Sequence, residues 1–214
     1  MEIATPVYKN LPESVYEPAE DSFLLMDALS DDWEYLTSLK PEIILEIGVG
    51  SGAITCFAQK LLQKCLPDHQ CLCFGTDLNL EALQATASTS KANCLPTPQL
   101  VRCDLVSALQ NRLNHSVDLL LFNPPYVPTE KEPQNWTECC WAGGPTGRSS
   151  LDRLLPQIPE LLSSNGCFYL IALKSNNIPE ILKNAAHVGL NGRVFCERKC
   201  GREHLFVLKF IKSQ

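Results

Sequence analysis

Positive charge is scarce in this chain: 18 Lys and Arg stand against 24 Asp and Glu, a formal net charge of −6 over 214 residues. Phosphate backbones are gripped by clustered Lys and Arg, so stable nucleic-acid binding by the chain alone is not expected. Lys199, Arg202 and Lys209 gather near the C-terminus, but Glu197 and Glu203 interrupt them, and they read as a solvated face. Long apolar runs are missing as well, none approaching the ~18 residues that cross a bilayer, so no membrane association is expected. Residues 1–10 carry no basic region followed by an apolar stretch, which predicts no signal peptide and an intracellular, soluble protein. The sequon matches Asn114-His115-Ser116 and Asn135-Trp136-Thr137 are then accidents. No C-x-x-C pair occurs among the 11 cysteines and the four histidines are scattered. That spacing predicts no metal site, and in a reducing compartment most of these cysteines should act as small buried hydrophobes. Repeats, low-complexity tracts and linkers are absent from the sequence, and the length suits one domain spanning residues 1–214.

What the sequence does have is alternation of short apolar runs with helical periods. Strands are predicted at 42–47, 71–76, 99–102, 117–122, 167–173, 194–197 and 204–211. Helices are predicted at 53–66, 81–93 (capped by Asn79), 151–162 and 178–187. Pro156 and Pro159 should kink or split the third of these, and Asn165-Gly166 should end it. Strand–helix alternation predicts an open α/β sheet covered on both faces. The link between the last two strands is too short for a helical crossover, so they should be antiparallel neighbours. A mostly parallel sheet with that ending resembles the Rossmann-like class I methyltransferase fold, seven strands in the order 3-2-1-4-5-7-6.

Three acidic positions mark the carboxyl ends of three consecutive strands. The first lies in Glu46-Ile-Gly48-Val-Gly50-Ser-Gly52, a Gly-rich strand-to-helix turn of the kind that lets a ligand approach the backbone. Alone such a turn also serves dinucleotides. The spacing here is G-x-G-x-G with Glu46 at the strand end, and that combination favours S-adenosylmethionine over NAD, because a sulfonium and an amino-acid end need no pyrophosphate cradle. Asp77, directly after the second strand, is placed to grip ribose hydroxyls. Asp104 can accept an adenine amino hydrogen while Leu105 packs near the ring. Together the three carboxylates should face one crevice.

The fourth strand ends in Asn123-Pro124-Pro125-Tyr126. Two prolines withhold their N–H groups, so the backbone there presents carbonyls. The Asn123 side-chain oxygen and the Pro124 carbonyl can then accept both hydrogens of an amino group on a planar amide or base, and Tyr126 can stack on the flat group. The chemistry predicted is methyl transfer to a planar nitrogen by in-line displacement, where positioning supplies much of the rate.

These two motifs resemble those of the HemK-type N5-glutamine methyltransferases. Val15-Tyr-Glu-Pro-Ala-Glu-Asp-Ser-Phe23 and Trp141-Ala-Gly-Gly-Pro-Thr-Gly-Arg148 resemble in particular the eukaryotic HemK-like branch, whose substrate is the glutamine of a Gly-Gly-Gln loop in the class-1 translation release factor. The resemblance spans nearly the whole chain, although about forty residues before the first strand leave no room for the helical N-terminal domain of the bacterial members. It implies that residues 1–40, through Tyr16, Glu20, Asp21 and Ser22, fold over the cofactor; the family often has Thr where Ser22 stands. It assigns Glu46, Gly48, Gly50, Gly52, Asp77, Asp104, Leu105 and Asn123 to the cofactor. Asn123, Pro124, Pro125 and Tyr126 fall to the substrate amide, with Gly143, Gly144, Gly147 and Arg148 shaping the wall beside it. Arg148 has an alternative as a structural partner of Asp152. A small zinc-binding activator subunit is implied as partner, and the apolar third strand, with Leu100 and Val101 at a sheet edge, offers it a seat. Cytoplasm is the expected compartment, with the nucleus beside it if histone is a substrate. Protein (histone) lysine methylation and DNA adenine-N6 methylation are the competing activities. The first asks a non-planar amine to lose a proton before attack; the second asks for base flipping and a basic DNA-reading surface.

Overall fold

The computed structural model describes residues 3–131 and 133–213, so the first two residues of the expected cofactor-covering segment lie outside it. Seven strands form one sheet: β1 (Ile43–Ile47), β2 (Leu72–Asp77), β3 (Gln99–Arg102), β4 (Val117–Phe122), β5 (Leu162–Leu173), β6 (Leu190–Cys200) and β7 (Glu203–Lys212). Their order is β3-β2-β1-β4-β5-β7-β6, as expected. The first five are parallel, and β7 runs antiparallel to both β5 and β6.

The central strands bury both faces, and their side chains divide with period two. Leu120 and Phe122 of β4 enter one core, with Phe168 and Leu170 of β5. Leu119 and Leu121 enter the other, with Tyr169 and Ile171. That second core is closed by α1 (Glu20–Asp31), α2 (Trp33–Leu39) and α3 (Ala53–Cys65). Between β2 and β3 runs α4 (Leu80–Ala92), whose first turn is capped by the Asn79 side chain accepting from the Glu81 N–H at 3.0 Å. A one-turn α5 (Trp136–Cys139) sits in the loop after β4, followed by α6 (Ser149–Leu154), α7 (Ile158–Leu161) and, after β5, α8 (Ile178–His187).

Several boundaries differ from the sequence reading. The 151–162 helix starts two residues earlier and is broken at its prolines into α6, a 3-10 turn Leu155–Gln157, and α7. Asn165-Gly166 does not end it; those residues lie inside β5, which starts at Leu162 and pairs there with Val117 across an irregular register. A Cβ on Gly166 would stand 2.5 Å from the Val117 carbonyl, so the close approach of β4 needs glycine. β6 runs well beyond 194–197 at both ends. α1 and α2 were not foreseen. They rest on buried Leu24, Leu25, Ala28, Leu29 and Leu36, the leucines each worth roughly 1.5–3 kcal/mol as fully buried side chains.

For function the register matters most. Ile47 pairs with Thr76 on one side and Phe122 on the other, while Asp77 pairs with Arg102. The carboxyl ends of β1 to β4 are therefore level, and every loop leaving them opens onto the same crevice.

Candidate functional site: a crevice across the ends of four strands

A cavity of about 550 Å³ occupies that crevice. Glu46, Asp77 and Asp104 all line it, so the three acidic strand ends do converge. Glu46 is buried, and its Oε2 accepts the Thr55 N–H at 2.9 Å and the Thr55 hydroxyl. Burial pushes its carboxyl up to about 8, against the lowering effect of the Thr55 hydrogen bonds. A carboxyl buried at a cavity wall with no cation against it among the described residues holds its proton more tightly than one in water. Asp77 is also pushed up by burial, opposed by N–H donation from Asn79 at 2.8 Å and Gly50 at 3.1 Å. Asp104 shares the wall with Arg153, which ion-pairs with it. Leu105 follows at φ +50° and faces the cavity beside it.

Gly48 and Gly50 line the cavity, with the Gly48 and Val49 N–H groups donating to the Thr76 carbonyl at 2.8 and 3.0 Å. Gly52 does not line it. At φ +78° it caps α3, and a Cβ there would meet the Thr86 Cα at 2.7 Å, so its role is to let α3 and α4 touch. From the N-terminal segment, Ser14, Val15, Tyr16, Asp21 and Ser22 reach the cavity. Glu20 turns outward to Arg198, 3.4 Å away.

Asn123, Pro124 and Pro125 line the same cavity. Asn123 is held from the far end of the chain: its Nδ2 donates to Asp21 Oδ2 at 2.9 Å. Only the NH₂ end of an amide can donate to a carboxylate, so this bond decides which way the amide lies. Asn123 Oδ1 is thereby turned the other way, and it is buried without a hydrogen-bond partner among the described residues. An orphaned buried acceptor is costly unless a ligand supplies the donor. Asp21, itself 3% exposed, also accepts Tyr16 Oη and Tyr126 Oη, each at 3.1 Å, and the Ser22 N–H at 2.6 Å.

Tyr126 therefore departs from its expected place. Its ring is part of the core under the turn and its hydroxyl is tied to Asp21, so it is not available to stack on a flat substrate. Burial and the nearby Asp21 charge raise its phenol well above the ordinary range. Arg148 departs too. It is 7% exposed and faces Glu180 at 3.0 Å, with Asp152 at 3.8 Å, so the structural alternative holds and it forms no cavity wall. Of the neighbouring glycines, Gly144 lines the cavity, whereas Gly143 packs under Pro125, whose carbonyl a Cβ would meet at 2.6 Å. Gly147 likewise lies behind the turn, against the Tyr126 carbonyl. Sequence reasoning missed Thr129, Trp136, Cys140 and Arg153, all of which line the mouth. Thr129 lies in the loop after β4, Trp136 and Cys140 at the two ends of α5 and Arg153 in the last turn of α6; they have no motif of their own, and nothing in their spacing distinguishes them.

Among the described residues, no helix is long and apolar enough to cross a membrane, and no group of three or more His, Cys, Asp or Glu is arranged for a metal ion. No family model matches the chain. It is 45% identical to the human protein named methyltransferase HEMK2, over 93% of this chain and 90% of that one. It is 34% identical to the Schizosaccharomyces pombe eRF1 methyltransferase catalytic subunit mtq2, over 98% of this chain and 96% of the relative. The solved structure of the E. cuniculi Mtq2–Trm112 complex, described as responsible for methylating the eRF1 translation termination factor, superimposes with a TM-score of 0.67 at 30% identity, covering 94% of this chain and 99% of the other.

Proposed function

The chain belongs to the HEMK2/Mtq2 family of HemK-like methyltransferases, and from that premise we propose that it moves the methyl group of S-adenosylmethionine to the side-chain amide nitrogen of the Gly-Gly-Gln glutamine in the class-1 translation release factor. The observation that carries this reading is Asn123 Oδ1, buried, unpaired among the described residues and aimed by Asp21. Together with the Pro124 carbonyl it offers two acceptors, the number that a primary amide nitrogen has hydrogens to give. Holding both hydrogens orients the nitrogen toward the methyl donor and takes its lone pair out of conjugation with the carbonyl. The cofactor supplies an activated methyl on a cationic sulfonium. Glu46 and Asp77 face its charged and hydroxyl-bearing ends, and the 14–22 segment closes over it within one catalytic domain.

A small zinc-binding activator subunit fits the uncovered side of β3, the four-residue edge strand in which Leu100 and Val101 remain partly exposed. A partner strand added there would remove an apolar edge. The structure of the Mtq2–Trm112 complex supports a partner of this kind. The site of action on this reading is the cytoplasm, where the termination factor works.

The test offers labelled S-adenosylmethionine and three substrates, release factor, histone and DNA, to the chain co-expressed with the activator. Label is expected on the release factor and absent after its Gly-Gly-Gln glutamine is changed. Label on histone lysine or on DNA in its place would overturn the proposal. A fully soluble, fully active monomer would remove the activator from it.

A further inference from the structure

Two consecutive prolines leave the Asn123–Tyr126 turn without N–H donors at its centre, so something outside the turn must hold its carbonyls in place. The structure supplies one donor group for this, Asn176, in the 3-10 turn Lys174–Asn176 that follows β5. Asn176 is 2% exposed and does not line the cavity. Its Nδ2 donates to the Tyr126 carbonyl at 2.8 Å and to the Thr146 carbonyl at 3.2 Å. Its Oδ1 accepts the Leu173 N–H at 2.7 Å, which fixes the amide's direction and ties it to the end of β5. Behind it, Arg148 Nη1 donates to the Asn176 carbonyl at 3.3 Å and to Glu180 Oε2 at 3.0 Å, so the 3-10 turn is held to α8. One buried amide thus joins the proline turn, the Gly144–Arg148 loop and a core strand. The fit is close enough to require glycine at 147, where φ is +69° and a Cβ would stand 2.2 Å from the Tyr126 carbonyl and 2.3 Å from Asn176 Nδ2.

We infer that Asn176 is a positioning residue for methyl transfer: its side-chain amide holds the Tyr126 carbonyl and so sets where Asn123 and Pro124 present their acceptor oxygens. It touches neither substrate nor cofactor. The inference rests on the proposed glutamine-amide reaction, since it is the pair of amide acceptors that Asn176 places.

Asn176→Asp tests it with nearly no change of shape. The carboxylate keeps the acceptor for the Leu173 N–H and loses both donors to Tyr126 and Thr146. Gly147→Ala presses on the same contact from the other side and serves if the first variant folds poorly. The full chain, co-purified with its activator, is assayed for folded fraction, affinity for S-adenosylhomocysteine, and kcat and KM on the release factor. Both variants should keep cofactor affinity near wild type and lose kcat by on the order of ten- to a hundredfold, the scale of a misplaced reacting group. For Asn176→Asp the kcat should recover as pH falls, because a buried carboxyl takes up a proton readily and can then donate to the Tyr126 carbonyl. An unchanged kcat, a loss matched by lost cofactor affinity, or a loss no larger than the drop in folded fraction would overturn the inference. If the wild-type protein itself leaves glutamine unlabelled, the functional reading fails and this inference falls with it. Wild-type transfer with unaffected variants overturns only the role of Asn176.

Discussion

Two turns face each other across the crevice, one after β1 and one after β4, and they are built on opposite principles. The Glu46–Gly52 turn is rich in glycine and is held through its own backbone N–H groups: Gly48 and Val49 donate to Thr76 and Gly50 to Asp77, both of the neighbouring β2, while Gly52 donates to Val49 within the turn. The Asn123–Tyr126 turn is rich in proline and is supported by side chains from elsewhere, by Asp21 from the N-terminal segment and by Asn176 from the turn after the neighbouring β5. The first turn brings backbone close to a ligand and needs no Cβ. The second turn presents oxygens. A cofactor that is the same in every turnover suits a wall held by backbone bonds to the next strand; a substrate nitrogen that must be held at one angle suits a wall whose side chains are braced from several directions.

The sharpest way to break this comparison is to remove the acceptor. Asn123→Ala should lower methyl transfer by on the order of a hundred- to a thousandfold, as loss of one preorganised polar group in an active site does. Cofactor affinity should change far less, because the glycine turn is untouched. Equal losses in both would mean that the two walls are not separable. On the other wall, Gly52→Ala should act on the fold and not on the chemistry. The residue sits at φ +78° with the Thr86 Cα 2.7 Å from the position of a Cβ. Left-handed strain and the forced separation of α3 from α4 together predict a loss of about 2–4 kcal/mol in stability. Denaturant titration checks this, and a stable, inactive Gly52→Ala protein would show that the residue meets the ligand after all.

Asp21→Asn is the next smaller perturbation. An asparagine with its oxygen at the Oδ2 position can still accept from Asn123 Nδ2 and Tyr126, but its NH₂ end cannot accept from Tyr16 or the Ser22 N–H, which share Oδ1, so the side chain is no longer anchored at both ends. The catalytic amide then loses its strict orientation. Transfer should fall about tenfold or somewhat more, the worth of one hydrogen bond to a charged group at roughly 1.5–3 kcal/mol. A rate equal to wild type would mean that Pro124 and the turn alone aim Asn123.

The contrast also explains what was readable in the sequence. The glycine turn carries its signal within a few residues, so Glu46, Gly48 and Gly50 can be placed from spacing alone. A braced turn has its reasons elsewhere. Tyr126 looked able to stack on a substrate because aromatic type says nothing about direction; its direction is set by Asp21, 105 positions away. Asn176 resembled any polar residue after a strand. The same division runs through the fold. β3 and β4 match the residues expected, since apolar runs end sharply there. The start of β5 was hidden because Ser163-Ser-Asn-Gly166 reads as a turn, and only pairing with Val117 makes it a strand. α1 is marked in the sequence only by Leu24, Leu25, Ala28 and Leu29 on one face, and its N-cap Ala19 makes no side-chain hydrogen bond that would signal its start.

The smallest effect lies in the proton on Glu46, and its sign can be worked out. Burial raises this carboxyl from an ordinary 4.5 to about 8. Between those values the unfolded chain has given up the proton and the folded, cofactor-free protein keeps it. The stability this group contributes is thus complete below pH 4.5 and is lost as pH climbs toward 8. A cation placed against Glu46 reverses the preference and expels the proton. Affinity for S-adenosylhomocysteine should therefore rise with pH, by up to about tenfold per unit, over a range kept below about 7 so that the ligand's own amino group stays charged. Calorimetry in two buffers of different ionisation heat should find about one proton released on binding, since one carboxyl changes state. Glu46→Gln should release none and bind with a flat pH profile, because an amide has no proton to give. Proton release that survives this substitution would move the linkage to Asp77, the other cavity carboxyl that burial raises.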